Sequence, residues 1–97
     1  MFSYRIYRTP EAVVLAACDS ELLGGVFREG EVVLRVSPGY YGGSLCEEAD
    51  LKELLQQADV ISLVGERSIS VAVEAGLAEW RFVKRVGGAP HLNIYRL

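Results

Sequence analysis

The stretch from Asp59 to Gly76 constrains the fold more than any other. Val60-Ile61-Ser62-Leu63-Val64 is a short apolar run of the length of a strand or an extended connector. Gly65 ends it, and the period then changes. Ile69, Ala72 and Val73 recur at helical steps, flanked by Val71 and Ala75, while Glu66, Ser70 and Glu74 fall on the opposite, wet face. Gly76 stands where a left-handed residue closes a helix, with Leu77 folding back onto the last turn. A buried strand followed by a one-sided helix needs a second layer to cover both.

The remaining sequence supplies that layer. Phe2, Tyr4 and Ile6 alternate with Ser3, Arg5 and Tyr7, the period of a strand with one face covered. Pro10 marks a turn, and Val13 to Cys18 is apolar throughout, as in a strand central in its sheet. These two strands read as an antiparallel hairpin. Asp19 and Ser20 are expected to cap a short helical turn beginning at Glu21, which Gly24-Gly25 stops. Val26 and Phe27 return the chain to the core, and Glu31 to Val36 reads as a further strand. Leu51, Leu54, Leu55 and Ala58 give Glu47–Ala58 a helical stripe, with Ser44 and Glu47 spaced as a capping box. Phe82–Val86 and Leu92–Leu97 read as terminal strands joined by a Gly87–His91 loop, with Trp80 at the edge of the core.

The 97 residues therefore read as one α+β domain spanning 1–97: a mainly antiparallel sheet with two main helices packed on one face. At 51% hydrophobic and 24% charged, the chain carries enough apolar surface to offset its conformational entropy. No apolar run approaches the ~20 residues that span a bilayer, and the alternating start lacks the apolar core of a signal peptide. The expectation is a cytoplasmic protein with no membrane partner. The net charge of -3 gives no strong electrostatic signal for nucleic acid, and the arginines are dispersed beside strands.

Two glycine loops carry the candidate binding residues. In the first, Tyr40 and Tyr41 precede Gly42 and Gly43. One tyrosine could pack on the core while the other covers the loop; alternatively the pair forms an aromatic platform for a base, a planar ligand or a partner. The second is Gly87-Gly88-Ala89-Pro90-His91, which places the single histidine in a loop, available for proton transfer near neutral pH. Between them in sequence, Gly65 and Arg67 open a helix whose free amides could meet an anion, although Glu66 opposes a phosphate and no phosphate-loop motif is present.

No catalytic residue is assigned and no cofactor is implied. Cys18, Cys46 and His91 fall short of the four ligands of a structural zinc site. A nucleophile such as Ser44 or Cys46 could be set beside His91 and Asp19 or Asp50 on paper, but nothing in the spacing assembles them.

The ordered set Ala16-Ala17-Cys18-Asp19, Phe27-Arg28-Glu29-Gly30-Glu31, Tyr40-Tyr41-Gly42-Gly43, Leu63-Val64-Gly65-Glu66-Arg67, Glu74-Ala75-Gly76-Leu77 and Gly87 to His91 resembles the small archaeal proteins of domain-of-unknown-function family 424. The resemblance covers nearly the whole chain. It implies an archaeal cytosolic protein and carries over no site residues. An archaeal setting also makes a Cys18–Cys46 disulfide more admissible than in other cytosols.

The sequence thus favours a non-enzymatic binding module working with a protein or RNA partner. A small-molecule binder or small enzyme is the alternative, built from a pocket of His91, Arg67 and the Tyr40-Tyr41 loop. A structural homodimer through an exposed edge strand is the third reading.

Overall fold

The computed structural model describes residues 1–96, so the last residue of the expected 92–97 strand lies outside the described residues. A six-stranded sheet runs through the centre of the molecule. Its strands are β1 (Phe2–Arg8), β2 (Val13–Asp19), β5 (Ser44–Cys46), β6 (Val60–Val64), β7 (Lys84–Val86) and β8 (Ala89–Tyr95), in the spatial order β5-β1-β2-β6-β8-β7. Among the described residues of this sheet, only the β2–β6 pair is parallel. The all-apolar β2 is indeed interior, and Leu15 to Cys18 are buried on both faces. The run 60–64 is a full central strand rather than a connector.

Helices α2 (Glu48–Gln57) and α3 (Glu66–Glu74) cover one face of this sheet. Their apolar stripes meet Leu15, Ala17, Ile61, Leu63 and Leu92 in one cluster that includes Leu51, Leu55, Ile69, Val71 and Ala72. Each fully buried aliphatic side chain in that cluster contributes roughly 1.5–3 kcal/mol relative to exposure. Gly76 closes α3 as expected: its N–H reaches Val73 O and the Leu77 N–H reaches Ala72 O, both at 3.0 Å.

The opposite face is partly covered too, by elements that the sequence pattern assigned elsewhere. The Glu31–Val36 run was expected in the main sheet. It forms instead β4 (Val32–Arg35), paired only with β3 (Val26–Glu29) in a separate two-stranded hairpin. Its alternation is right for a strand, but Val32 and Val33 are exposed, and the side chains that face inward are Phe27 and Leu34. These pack with Ala16, Cys18, Val36, Tyr41 and Val64 in a second, smaller core.

Three local expectations are also corrected. Pro38–Tyr41 winds into a short helix, α1, and Ser44 enters strand β5 rather than capping α2. The α2 start is held by Asp50, whose carboxylate accepts the Glu47 N–H at 3.3 Å. The Gly87–His91 loop shrinks to a turn of Gly87-Gly88, both at positive φ (55° and 85°), as a two-residue hairpin of this type requires. Pro90 and His91 lie inside β8. Trp80–Phe82 is a 3-10 turn that feeds the short β7.

The candidate functional site

The expected residues separate onto two regions. Arg67, Gly87, Gly88 and Pro90 gather in a cleft at the carboxyl ends of the parallel pair β2 and β6, with Gly65 behind the Asp19 carboxylate. Asp19, Glu21, Leu22, Phe27, Glu66 and Ala89 complete a concavity of about 450 Å³ next to Gly65. Tyr40, Tyr41 and His91 belong to the sheet face opposite the helices, and none of them lines this cleft.

At the back of the cleft stands Asp19. It was expected to cap the turn at Glu21, yet that 3-10 turn has no side-chain cap. In register with Phe2, Asp19 points to the helix side of the sheet. There its carboxylate accepts the Arg67 N–H at 3.1 Å and the Ser68 N–H at 2.8 Å, capping α3 from across the sheet. Gly65 is what permits this approach. A Cβ at Gly65 would overlap the Asp19 carboxylate, and the backbone there sits at φ 117°. The anion that a helix start attracts is therefore built into the chain, and two of the amides considered for an external anion, those of Arg67 and Ser68, are already taken.

Arg67 folds back over this cap. Its guanidinium contacts Glu21, reaches Met1 O at 3.3 Å and Asp19 Oδ2 at 3.8 Å, and lies 5.1 Å from the Phe2 ring centre. The Glu21 carboxyl is held below its usual range, first by its own backbone amide and then by Arg67. Glu66 pairs with Arg85 at 2.6 Å. The Gly87 N–H reaches Glu29 Oε1 at 3.1 Å, which ties the β3–β4 hairpin to the turn. Pro90, with no N–H to give, still accepts the Gly65 N–H at 3.0 Å through its carbonyl.

The tyrosines divide as one of the two readings expected. Tyr41 is buried, with its hydroxyl 2.7 Å from Ser62 Oγ, and burial pushes its phenol above the ordinary value. Tyr40 is 41% exposed and meets Tyr41 edge-on at 5.0 Å. Its stacking partner is a residue that the sequence reading did not single out. Tyr7 lies 5.4 Å away at an interplanar angle of 23°, and its hydroxyl donates to Tyr40 O at 2.8 Å. Gly42 and Gly43 seat Arg5, whose Nε donates to Gly42 O at 2.6 Å.

The strand registers place Tyr7, Val14, Val60 and Tyr95 in one row across four strands, on the face away from the helices. Tyr95 is 70% exposed. Burial raises the Tyr40 pKa, with smaller contributions from the Tyr7 phenol and then from Tyr95. His91 lies on this same face two residues from Asn93. It is half-buried, and burial outweighs an Asn93 hydrogen bond to lower its pKa. The period-two pattern of the first strand could have exposed Tyr7 as a surface residue; its partner could be found only from the fold.

Cys18 and Cys46 are both free and buried. Cys18 faces the second core and Cys46 the helix-side core, so the sheet itself separates them and the admissible disulfide does not form. Among the described residues, no cluster of three or more His, Cys, Asp or Glu is placed to hold a metal ion. Every buried side-chain nitrogen and oxygen among them has a hydrogen-bond partner, so no interior polar group waits for a ligand. No helix among the described residues is long and apolar enough to cross a membrane.

Fold and surfaces together define a small α+β domain, with one main sheet and a separate hairpin, a pre-filled helix start and an aromatic outer face. The chain belongs to the family described as protein of unknown function (DUF424), which matches residues 7–97. It is also similar in structure to an uncharacterized conserved protein from the archaeon Methanopyrus kandleri, with 32% identity and a TM-score of 0.82. That likeness covers 99% of this chain and 91% of the other. No curated protein matches.

Proposed function

We propose that the protein is a non-enzymatic binding module that acts within a protein complex in the cytoplasm. Its contact surface is the tyrosine end of the sheet. The observation that carries this reading is Tyr40, exposed on the outer face and stacked on the half-buried Tyr7, with the exposed Tyr95 in Tyr7's cross-strand row. Tyrosine offers large contact area at low conformational cost, and interface centres are enriched in it and poor in charge. The row Tyr7, Val14, Val60 and Tyr95 carries no charged side chain. A stacked tyrosine also suits a nucleic-acid base, but a strand of RNA needs cations along its backbone. Here Arg5 is turned into the Gly42-Gly43 segment and the chain has a net charge of -3, so a protein partner is favoured. Two buried, unpaired thiols support a reducing compartment. A small-molecule reading draws its support from the end cleft, where Arg67, Gly87, Gly88 and Pro90 share a wall with Asp19.

The test is affinity capture from an archaeal lysate with tagged wild type and Tyr40→Ala, identifying proteins and sequencing RNA. The expected result is a stoichiometric protein partner whose recovery falls at least about tenfold with Tyr40→Ala, the loss of a central aromatic anchor. Recovery of RNA alone, or a partner indifferent to Tyr40, overturns the reading.

A further inference from the structure

The sheet has two incompletely paired edges, and they are not equivalent. On one side, β5 covers only Phe2 to Tyr4, leaving the rest of β1 without a neighbour. That stretch carries Arg5 and Arg8, and charged side chains on an edge oppose pairing with another chain. On the other side, β7 pairs with β8 only from Ala89 to His91, because the chain enters β7 from the 3-10 turn at Trp80–Phe82. Among the described residues, Leu92 to Tyr95 therefore has β6 on one flank and no strand on the other.

The register fixes which groups are presented there. Pro90 O accepts from Gly65 and the Arg96 N–H reaches Asp59 O at 2.7 Å, so residues 90, 92, 94 and 96 turn their backbone groups toward β6. By alternation, Asn93 and Tyr95 turn their N–H and C=O groups outward. Beside this edge lies a groove of about 220 Å³, with Leu77, Ala78, Phe82, Leu92 and Ile94 as its apolar lining. Phe82 is 59% exposed at its rim.

We propose that this edge pairs with the same edge of a second copy, antiparallel, about a twofold axis through Ile94. Asn93 then exchanges both backbone hydrogen bonds with Tyr95 of the other copy, and Tyr95 does so with the other Asn93. That register is self-complementary, as an isologous interface demands. Ile94 meets its symmetry mate at a non-hydrogen-bonded position, where side chains approach most closely, and both lie over the apolar groove. The electrostatics select a second copy over a charged partner. Two chains of net charge -3 repel in general, yet Leu92-Asn93-Ile94-Tyr95 carries no charge at all. Pairing there sets no like charges opposite one another, whereas self-pairing along β1 brings arginines together. Leu92 to Tyr95, unlike the paired start of β8 with its Pro90, also lacks the lysine, proline or bulge that commonly guards an exposed strand. This inference goes beyond the tyrosine-face reading: it uses the backbone of Asn93 and Tyr95, not Tyr40.

Light scattering coupled to gel filtration, run over a dilution series, tests it together with two variants. Asn93→Pro removes an outward-facing donor together with the side chain that bonds His91, a side chain that Asn93→Ala loses equally, and leaves the bonds from Leu92 and Ile94 to β6 intact, so the fold should persist. Asn93→Ala keeps the donor. Wild type and Asn93→Ala should give twice the chain mass of 10.7 kDa, and Asn93→Pro the monomer mass with an unchanged circular dichroism spectrum. A wild-type monomer at every concentration overturns the proposal, as does a dimeric Asn93→Pro. Should Asn93→Pro fail to fold, amide exchange on wild type decides: the Asn93 and Tyr95 amides must gain protection as concentration rises. Fast exchange of both in a dimer overturns this edge as the interface. Neither result depends on whether Tyr40 binds a partner.

Discussion

Replacing Asp19 with alanine tests the central structural claim, that a strand residue caps a helix 48 positions later. The carboxylate is 5% exposed and accepts two backbone N–H groups, from Arg67 at 3.1 Å and Ser68 at 2.8 Å. Losing an ordinary N-cap costs about 0.5–2 kcal/mol. Here the acceptor is charged and the Ser68 amide is buried, so its unpaired N–H adds roughly 1–3 kcal/mol of desolvation penalty that overlaps with the cap. The Arg67 ion pair adds little, because that side chain is 45% exposed and its field is screened. The expected loss is about 2–4 kcal/mol, or on the order of 10–25 °C in Tm for a domain of this length. Guanidinium denaturation followed by circular dichroism reads it as a lowered midpoint at unchanged slope. Asp19→Asn keeps one acceptor oxygen and should fall between alanine and wild type. Gly65→Ala should be costly in wild type but less so beside Asp19→Ala, where the overlapping carboxylate is gone while the φ of 117° still opposes it. A loss below about 0.5 kcal/mol for Asp19→Ala, the level of a neutral surface change, would refute the reasoning.

Tyr41→Phe removes the hydroxyl that meets Ser62 Oγ in the second core, and should cost about 1–2 kcal/mol by the same denaturation assay; no measurable loss would show that contact to be idle. The lowered pKa of His91 makes stability fall on acidification. The unfolded chain takes up a proton near pH 6.5 and the folded chain only at lower pH, so His91's contribution is complete above 6.5 and declines as pH drops through that window. Subtracting the pH profile of His91→Asn from that of wild type should isolate this slope, and parallel profiles would remove it. Burial pushes the Cys18 thiol up to about 12, and burial followed by Asp50 and Glu47 raises Cys46. Neither should react with a thiol reagent in the native protein, while both should titrate in guanidinium; a fast-reacting native thiol would contradict the buried placement.

What the sequence determined by itself is the set of elements whose signals are local. Periodicity two in Phe2–Tyr7, the unbroken apolar run of β2 and the stripes of α2 and α3 are each readable within a dozen residues, because side-chain direction follows backbone geometry there. The α+β class, the helix-covered face and the Gly76 closure follow from those patterns. The candidate surfaces were legible only in part. Tyr40 and Tyr41 stood out as a pair, but which one is buried depends on Ser62 and Tyr7, which are distant in sequence. Asp19 looked like a cap for the residues beside it; the β2–β6 pairing carries the start of α3 to its carboxylate instead. Glu31–Val36 has the pattern of a strand but leaves the main sheet, since alternation specifies a covered face without naming what covers it. The tertiary structure decided registers, rows and edges, because these depend on neighbours brought together by folding. It also decided that the glycine turn after β6 holds a carboxylate of the same chain.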